Sequence, residues 1–355
     1  MTAQDFLKTA TSQGASDIYI VAAKPISLKV NKEIIIIGQE NLTPETAENT
    51  VKGLYQLANN RDFDRLKNGD DDFVVNLSGV GRYRVNAYRQ KGSCAAVIRV
   101  IPVGIPDPMK LNIPEVITNL ADYSRGIVLF TGTTGSGKST SLACLIDRIN
   151  TNRQAHIVTI EDPVEYLHEH KKSIISQREL EADTETYLTA IRAAMRQVPD
   201  VILVGEMRDH DTISAAITAA ETGHLVFSTL HTIGAASTID RIIDVFPPNQ
   251  QNQVRSQLSI TLQAVVSQQL LRTPDGKMQP AYEIMIVNSA IRNLIRENKT
   301  FQIENIIQTS AASGMKTMDM SLYEMFRQKL ISKDDAMHYS VNQAAMAQRL
   351  SGMAR

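Results

Sequence analysis

The strongest chemical pattern in the sequence is GTTGSGKS at residues 132–139, which matches G-x-x-x-x-G-K-[ST]. The apolar run GIVLF precedes it and a helical pattern follows, which is the context of a phosphate-binding loop. Glycines let backbone N–H groups face the phosphates without Cβ clashes, the lysine reaches the β- and γ-phosphates, and the serine hydroxyl suits Mg²⁺. An ordinary glycine-rich turn is the alternative. The residues predicted to surround the phosphates are Gly132, Thr133, Thr134, Gly135, Ser136, Gly137, Lys138, Ser139 and Thr140.

Hydrolysis of a nucleotide also needs carboxylates, and two acidic positions follow strand-like apolar runs. VILVGE ends at Glu206, at the edge where α/β sheets bind ligands, so Glu206 is predicted to orient the metal together with Ser139. In TIEDPVEYLH, a strand ends at Glu161 and Asp162, and Glu165 follows in the turn. A cation or arginines would neutralise these three carboxylates, and Glu165 could then activate water as a general base. A solvated acid at a strand end is the alternative in both places.

Two histidines lie near the ends of another apolar run, GHLVFSTLHT, at residues 223–232. Side chains alternate faces along a strand, so His224 and His231, an odd number apart, cannot easily share one metal ion. His231 is predicted to lie near the γ-phosphate or Glu206 and to sense the nucleotide. His224 is predicted to contact a neighbouring domain or subunit, or else to be a buried and satisfied histidine.

Arginines form a third group in the stretch GRYRVNAYR and the run that follows it. Arg82 and Arg84 are two residues apart and share one face of a predicted strand, and Arg99 lies on the next strand. Surface arginines are ordinarily solvated. A domain that carries guanidinium groups to the γ-phosphate of another module would instead act as an arginine finger.

Two domains are predicted to position these residues. Strand-like runs within residues 1–101 include an antiparallel meander and favour a small α+β domain, and the proline-rich stretch within 102–118 is the predicted linker. From 119 to 355 strands alternate with helices, which predicts an α/β doubly wound domain. In its second helix Leu188, Ile191, Met195 and Val198 recur at helical spacing and predict a core face. The region after about residue 249 is predicted to be mostly helical, with a hairpin around residues 273–277.

Composition excludes several other classes of protein. The chain has 355 residues and a net charge of −1, so no overall basic field favours nucleic acid or an anionic membrane. With two cysteines and no C-x-x-C pair, a disulfide framework and a four-cysteine zinc site are excluded. The N-terminal residues lack the pattern of a secretory signal, and no apolar run approaches the length of a membrane span. We expect a cytoplasmic protein that reaches a membrane only through a partner.

Four stretches occur in the same order as the Walker A, Asp box, Walker B and His box of secretion-superfamily ATPases. These stretches are GTTGSGKST, TIEDPVEY, VILVGEMRD and GHLVFSTLHT. The chain thus resembles the type II secretion and type IV pilus branch of that superfamily, and within it the pilus retraction ATPases. QGASDIYI, RYRVNAY and AIRNLIRE at 290–297 extend the resemblance over almost the whole chain. AIRNLIRE is the retraction-type motif of the family, although an amphipathic helix with a basic stripe also explains its pattern.

The resemblance implies a PAS-like N-terminal domain and a RecA-like P-loop ATPase domain that bind ATP and Mg²⁺. It implies a hexameric ring at the inner face of the cell membrane, held there by an inner-membrane pilus platform protein, with no membrane insertion and no nucleic acid. Domain closure driven by ATP would then power pilus retraction. The residues that match functional positions of the family are Lys138, Ser139, Glu165, Glu206, Arg84, Arg99, His224 and His231. Glu161 and Asp162 are also predicted to lie at the nucleotide.

Four other functions are open on the residues alone. An accessory retraction ATPase or an assembly ATPase would share the motifs, although assembly ATPases usually carry a further N-terminal domain and a four-cysteine metal site. A RecA-like nucleic-acid translocase would need a basic and aromatic groove, which the near-neutral charge disfavours. A regulator that binds ATP but hydrolyses it negligibly would not need Glu165 and Glu206.

Overall fold

The computed structural model describes residues 1–30, 33–101 and 104–351 and divides the chain into two compact units. The N-terminal unit is Met1–Gly104 together with Glu165–Leu167, and the C-terminal unit is Ile105–Val164 and continues from His168. The predicted first domain, linker and second domain each include residues outside the described ones, at 31–32, 102–103 and 352–355 respectively.

The N-terminal unit contains a six-stranded antiparallel sheet with the strand order β3-β2-β1-β6-β5-β4. The predicted meander is confirmed as β4, β5 and β6. The helices and strands of the N-terminal unit are α1 Ala3–Ser12, β1 Asp17–Ile20, β2 Ser27–Val30, β3 Glu33–Ile36, α2 Pro44–Leu57, β4 Asp70–Leu77, β5 Gly81–Gln90 and β6 Ser93–Ile101.

One face of this sheet is apolar and the other is polar because buried and exposed residues alternate along the strands. Phe73 and Val75 on β4 and Tyr83 and Val85 on β5 belong to the same buried cluster as the inner residues of α1 and α2. The residues between them, which include Arg84, therefore face outward.

The C-terminal unit is built on a seven-stranded sheet with the order β13-β12-β7-β11-β10-β8-β9. The strands from β12 to β9 in this order run parallel, and β13 is antiparallel to β12. The strands are β7 Gly126–Thr131, β8 His156–Glu161, β9 Ile174–Glu179, β10 Val201–Val204, β11 Leu225–Leu230, β12 Leu262–Arg272 and β13 Met278–Ile286.

Helices cover both faces of this sheet, so the predicted doubly wound α/β architecture is confirmed. Ile127 and Leu129 of β7 pack into one apolar cluster, while Val128 and Phe130 pack into the cluster on the opposite face. Within the described residues, no helix is long and apolar enough to cross a membrane. The helices are α3 Glu115–Thr118, α4 Lys138–Asn152, α5 Tyr187–Ala194, α6 His210–Glu221, α7 Ala235–Asp244, α8 Pro248–Thr261, α9 Ser289–Arg296, α10 Ile303–Thr309, α11 Met318–Arg327, α12 Lys333–Tyr339 and α13 Gln343–Ser351.

The prediction that Val198 continues a helical core face is wrong. Helix α5 ends at Ala194, and Val198 is 84% exposed with a φ of +53°. Val198 precedes Pro199, whose ring disfavours the α conformation in the residue before it. The helical pattern therefore stops before its last apolar member.

The hairpin predicted around residues 273–277 is confirmed, but its strands are longer than expected and belong to the main sheet. β12 pairs in parallel with β7, with Ser267 opposite Thr131. The sequence pattern does not predict β9, because IISQRE lacks the continuous apolar pattern of the other parallel strands. Both strands extend the predicted sheet at its edges.

Candidate nucleotide-binding site

The loop between β7 and α4 has the backbone of a phosphate cradle. Gly132, Gly135 and Gly137 have φ angles of +136°, +78° and +91°, which side chains with a Cβ rarely adopt. Gly137 is the N-cap of α4 and, within the described residues, no side chain caps this helix. The first N–H groups of α4 therefore remain available to an anion, which the helix dipole also favours.

Two buried polar side chains in this loop indicate a site for phosphate. The Lys138 ammonium is largely buried and donates hydrogen bonds to the carbonyls of Gly132 at 2.7 Å and Thr133 at 2.9 Å. The Ser136 hydroxyl is buried and has no hydrogen-bond partner among the described residues. Buried polar groups in native proteins are nearly always satisfied, so an unpartnered hydroxyl in such a loop is consistent with a ligand site.

The parallel register brings the ends of four strands to one edge of the sheet. Thr131 at the end of β7 pairs with Leu230 of β11, and Val204 of β10 pairs with Ser228 of β11 and with Ile160 of β8. The phosphate loop and the segments that begin at Glu161, Gly205 and His231 therefore follow from the same edge, where doubly wound sheets bind ligands.

Glu206 and His231 are brought together at this edge, as the sequence predicts. The Nε2 atom of His231 donates a hydrogen bond to Oε2 of Glu206 at 3.2 Å. Sequence reasoning missed the third member of the group, since Nε of Arg208 lies 2.8 Å from the same oxygen. The Glu206 side chain is 18% exposed, so both contacts hold a carboxylate that water reaches only in part.

The hydroxyl of Tyr187 lies next to Gly205, the residue before Glu206, and the Glu161 carboxylate accepts a hydrogen bond from the Thr159 hydroxyl at 2.7 Å. Burial raises the pKa of Tyr187, and the charges of Glu206, Asp162 and Glu161 raise it further. A Cβ on Gly205 would come within 2.9 Å of this hydroxyl, so glycine permits the close approach. Tyr187 carries no sequence signal of function. Only the fold shows that its hydroxyl lies beside Gly205.

His224 lies at the opposite end of β11 from His231. Its backbone carbonyl accepts from the N–H of Gly126 at the start of β7, and its Nδ1 donates to the carbonyl of Ala219 at 2.8 Å. The fold therefore does not bring His224 to the phosphate loop, and its side chain caps the end of α6. A role for His224 in nucleotide binding has no support within this unit.

The predicted arginines and Glu165 belong to the N-terminal unit. Arg84 and Arg99 are direct cross-strand partners, with Nε of Arg84 3.9 Å from Asp72 and Nε of Arg99 3.4 Å from Asp17. Like charges opposite each other on a sheet repel, so this positive pair favours an anionic partner.

The other two predicted positions of this unit differ in their surroundings. Arg82 donates to Asn76 Oδ1 at 3.1 Å. Glu165 is exposed in the turn after Val164. The catalytic roles of Arg84, Arg99 and Glu165 stay predictions.

The residues predicted to hold Mg²⁺ have suitable chemistry. Ser139 offers an exposed hydroxyl on the first turn of α4, and Glu206 offers a carboxylate. Mg²⁺ prefers such oxygen ligands and usually binds through one or two protein groups together with phosphates and water. Their strands, β7 and β10, flank β11, so both groups follow the same edge.

Comparison with known proteins finds similarity over almost the whole chain. Residues 2–351 match the family model described as type II/IV secretion system protein. The chain is 46% identical over 342 residues to a twitching motility protein of Neisseria gonorrhoeae, covering 96% of this chain and 91% of that protein. It is 45% identical over 339 residues to the type IV pilus retractation ATPase PilT of Pseudomonas aeruginosa, covering 95% and 97% of the two chains.

A solved structure agrees with the fold as closely. The crystal structure of the pilus retraction motor PilT with bound ADP superposes with a TM-score of 0.91 at 44% identity, covering 98% of this chain and 99% of that chain. A family match of this extent, together with the phosphate loop and its carboxylates, establishes that the chain belongs to the type II/IV secretion system protein family.

Proposed function

We propose that this protein is an ATP-hydrolysing motor that powers retraction of a type IV pilus. The observation that carries the proposal is the phosphate loop, which shares a sheet edge with the paired side chains of Glu206 and His231. The full-length similarity to proteins named for pilus retraction and twitching motility supports the choice of cargo.

The chain's own residues account for each step of hydrolysis. Backbone N–H groups of residues 132–139 and the Lys138 ammonium would bind the phosphates, and Ser139 and Glu206 would hold Mg²⁺, which would supply charge neutralisation. Glu165 acts as general base toward water, and Arg84 and Arg99 stabilise charge on the γ-phosphate.

His231 acts as the sensor in this proposal. Its hydrogen bond to Glu206 would change when the cleaved phosphate leaves the site with its negative charge, which would link phosphate release to movement of the loop that starts at His231. The working assembly we propose is a hexameric ring at the cytoplasmic face of the inner membrane, bound to a pilus platform protein.

The experiment that tests the cargo is a deletion strain complemented with the wild-type gene or with Lys138→Ala. Retraction predicts a deletion strain with excess surface pili and no twitching, rescued by the wild type only. Loss of surface pili on deletion would contradict retraction and favour an assembly ATPase.

A second assay uses the purified protein. We expect ATPase activity that single-stranded nucleic acid does not stimulate. Strong stimulation with a steep salt dependence would overturn the proposal in favour of a translocase.

A further inference from the structure

We propose that Gln268 is the positioning residue that holds the phosphate loop in its binding conformation. The proposal rests on the proposed function, since it assumes that residues 132–139 bind the phosphates of a nucleotide. Gln268 lies on β12, which neighbours β7 in the sheet, and it directly follows Ser267, the partner of Thr131. It is 3% exposed, although glutamine is usually a surface residue.

Gln268 lies against the loop at two glycines. A Cβ on Gly132 would come within 2.2 Å of the backbone carbonyl oxygen of Gln268. A Cβ on Gly137 would come within 2.7 Å of the side-chain Nε2 of Gln268. Gly135 differs, because a Cβ there would have no heavy atom within 4 Å. The loop is therefore closely packed against Gln268 at its start and end and open in its middle, which is the part left free for phosphates.

The side chain of Gln268 also connects to the helix that follows the loop. The Ser141 hydroxyl on the first turn of α4 donates a hydrogen bond to Oε1 of Gln268 at 2.9 Å. Ser141 is 1% exposed, so loss of either partner leaves a buried polar group unsatisfied. One amide thus lies against Gly137 and accepts a hydrogen bond from the helix whose N-terminus follows the loop.

Ser267, the residue before Gln268, contacts the end of the loop that carries His231. Ser267 points to the opposite face of the sheet, and its Oγ accepts from the N–H of Gly234 at 3.1 Å. Gly234 is the N-cap of α7, just after the loop that carries His231. Neighbouring residues on β12 therefore position the phosphate loop and the His231 loop separately, so their effects can be distinguished.

The test is Gln268→Met, which keeps the volume and flexibility of the side chain but removes both polar atoms. Because the loop loses its support while the groups that act on the γ-phosphate remain, we expect KM for ATP and Kd for fluorescent ADP to rise about tenfold, with kcat within about threefold of wild type. The matched control is Gln269→Ala on the opposite face of β12, where the Gln269 Nε2 donates to the carbonyl of Tyr339. For this variant we expect the wild-type KM, Kd and kcat.

A double-mutant cycle with Ser141→Ala separates positioning from general destabilisation. If Gln268 acts through Ser141, the double variant binds ADP no more weakly than Gln268→Met alone. Ser141→Ala alone, which removes one hydroxyl, should raise KM about threefold and serves as the test if Gln268→Met does not fold.

An unchanged KM in folded Gln268→Met, or a loss equal to that of Gln269→Ala, would overturn the proposal. Additive effects in the cycle would do the same. If instead wild-type protein neither binds nor hydrolyses ATP, the proposed function itself fails, which the wild-type assay shows before any variant is measured.

Discussion

Replacement of Glu206 by glutamine is the most direct perturbation of the proposed hydrolytic centre. The change keeps the size of the side chain and an oxygen that can accept hydrogen bonds, but it removes the negative charge. That charge lies 2.8 Å from Nε of Arg208 and 3.2 Å from Nε2 of His231. In the proposed mechanism the same carboxylate orients Mg²⁺ beside Ser139.

The expected effect follows from what the rest of the site retains. Lys138 and the N-terminus of α4 still bind the phosphates, so the Kd for ATP should change by less than about threefold. The preorganised charge that stabilises the transition state is lost, and such losses lower kcat by about 10²–10³-fold, or about 2.7–4 kcal/mol. Stability should change little, because the glutamine oxygen can still accept from Arg208 and His231.

The assay combines steady-state phosphate release with binding of a fluorescent nucleotide. The matched control is Asp209→Asn, which removes the same charge from the same loop. Asp209 caps α6, accepting from the N–H and hydroxyl of Thr212, both at 2.8 Å, and asparagine caps helices equally well. A kcat for Glu206→Gln within threefold of wild type, or an equal loss in Asp209→Asn, would refute the assignment.

Three further perturbations test other parts of the reasoning. Lys138→Ala should abolish detectable nucleotide binding, since it removes the buried ammonium of the loop, and retained binding in a fluorescent ADP titration would contradict the site. Arg84→Ala should lower kcat by about 10²-fold or more without changing the far-UV circular dichroism spectrum, and wild-type turnover would exclude the arginine-finger role. Asp71→Asn should destabilise the N-terminal unit by about 3 kcal/mol, because the Asp71 side chain is 6% exposed and pairs with Arg61 at 2.8 Å. Burial acts to raise the pKa of Asp71, but the hydrogen bonds and charge of Arg61 hold it below the ordinary 3.8, so this stabilisation is present above pH 3.8 and is lost as the pH falls through the lower folded value. Thermal melts of wild type and Asp71→Asn should therefore converge at acid pH, and a constant difference would contradict the linkage.

The phosphate loop could be identified from sequence because its requirements are local. Positive φ angles need glycine, the lysine and serine follow at fixed spacing, and an apolar strand and a helix flank the loop. Each of these properties belongs to neighbouring residues, so no knowledge of long-range packing was needed. The buried strands were recognisable for a similar reason, since a run of apolar residues is sufficient to predict them.

Local patterns failed where a neighbouring residue changed the backbone. Val198 continued the apolar spacing of a helix, but the proline after it ended that conformation. The edge strand β9 is not predicted because its mixed polar and apolar side chains do not separate it from a loop, and the strands of the hairpin at 273–277 extend into a region that is predicted to be helical.

The tertiary structure alone decided which distant residues meet. Strand order places β12 on one side of β7 and β11 on the other, and this order results from packing over the whole unit rather than from any short segment. It brings Gln268 to Gly132, His231 to Glu206, and the Tyr187 hydroxyl to Gly205. The sequence by itself determined that a phosphate loop and its acidic partners exist. The contacts that orient them depend on side chains separated along the chain, which only the folded sheet brings together.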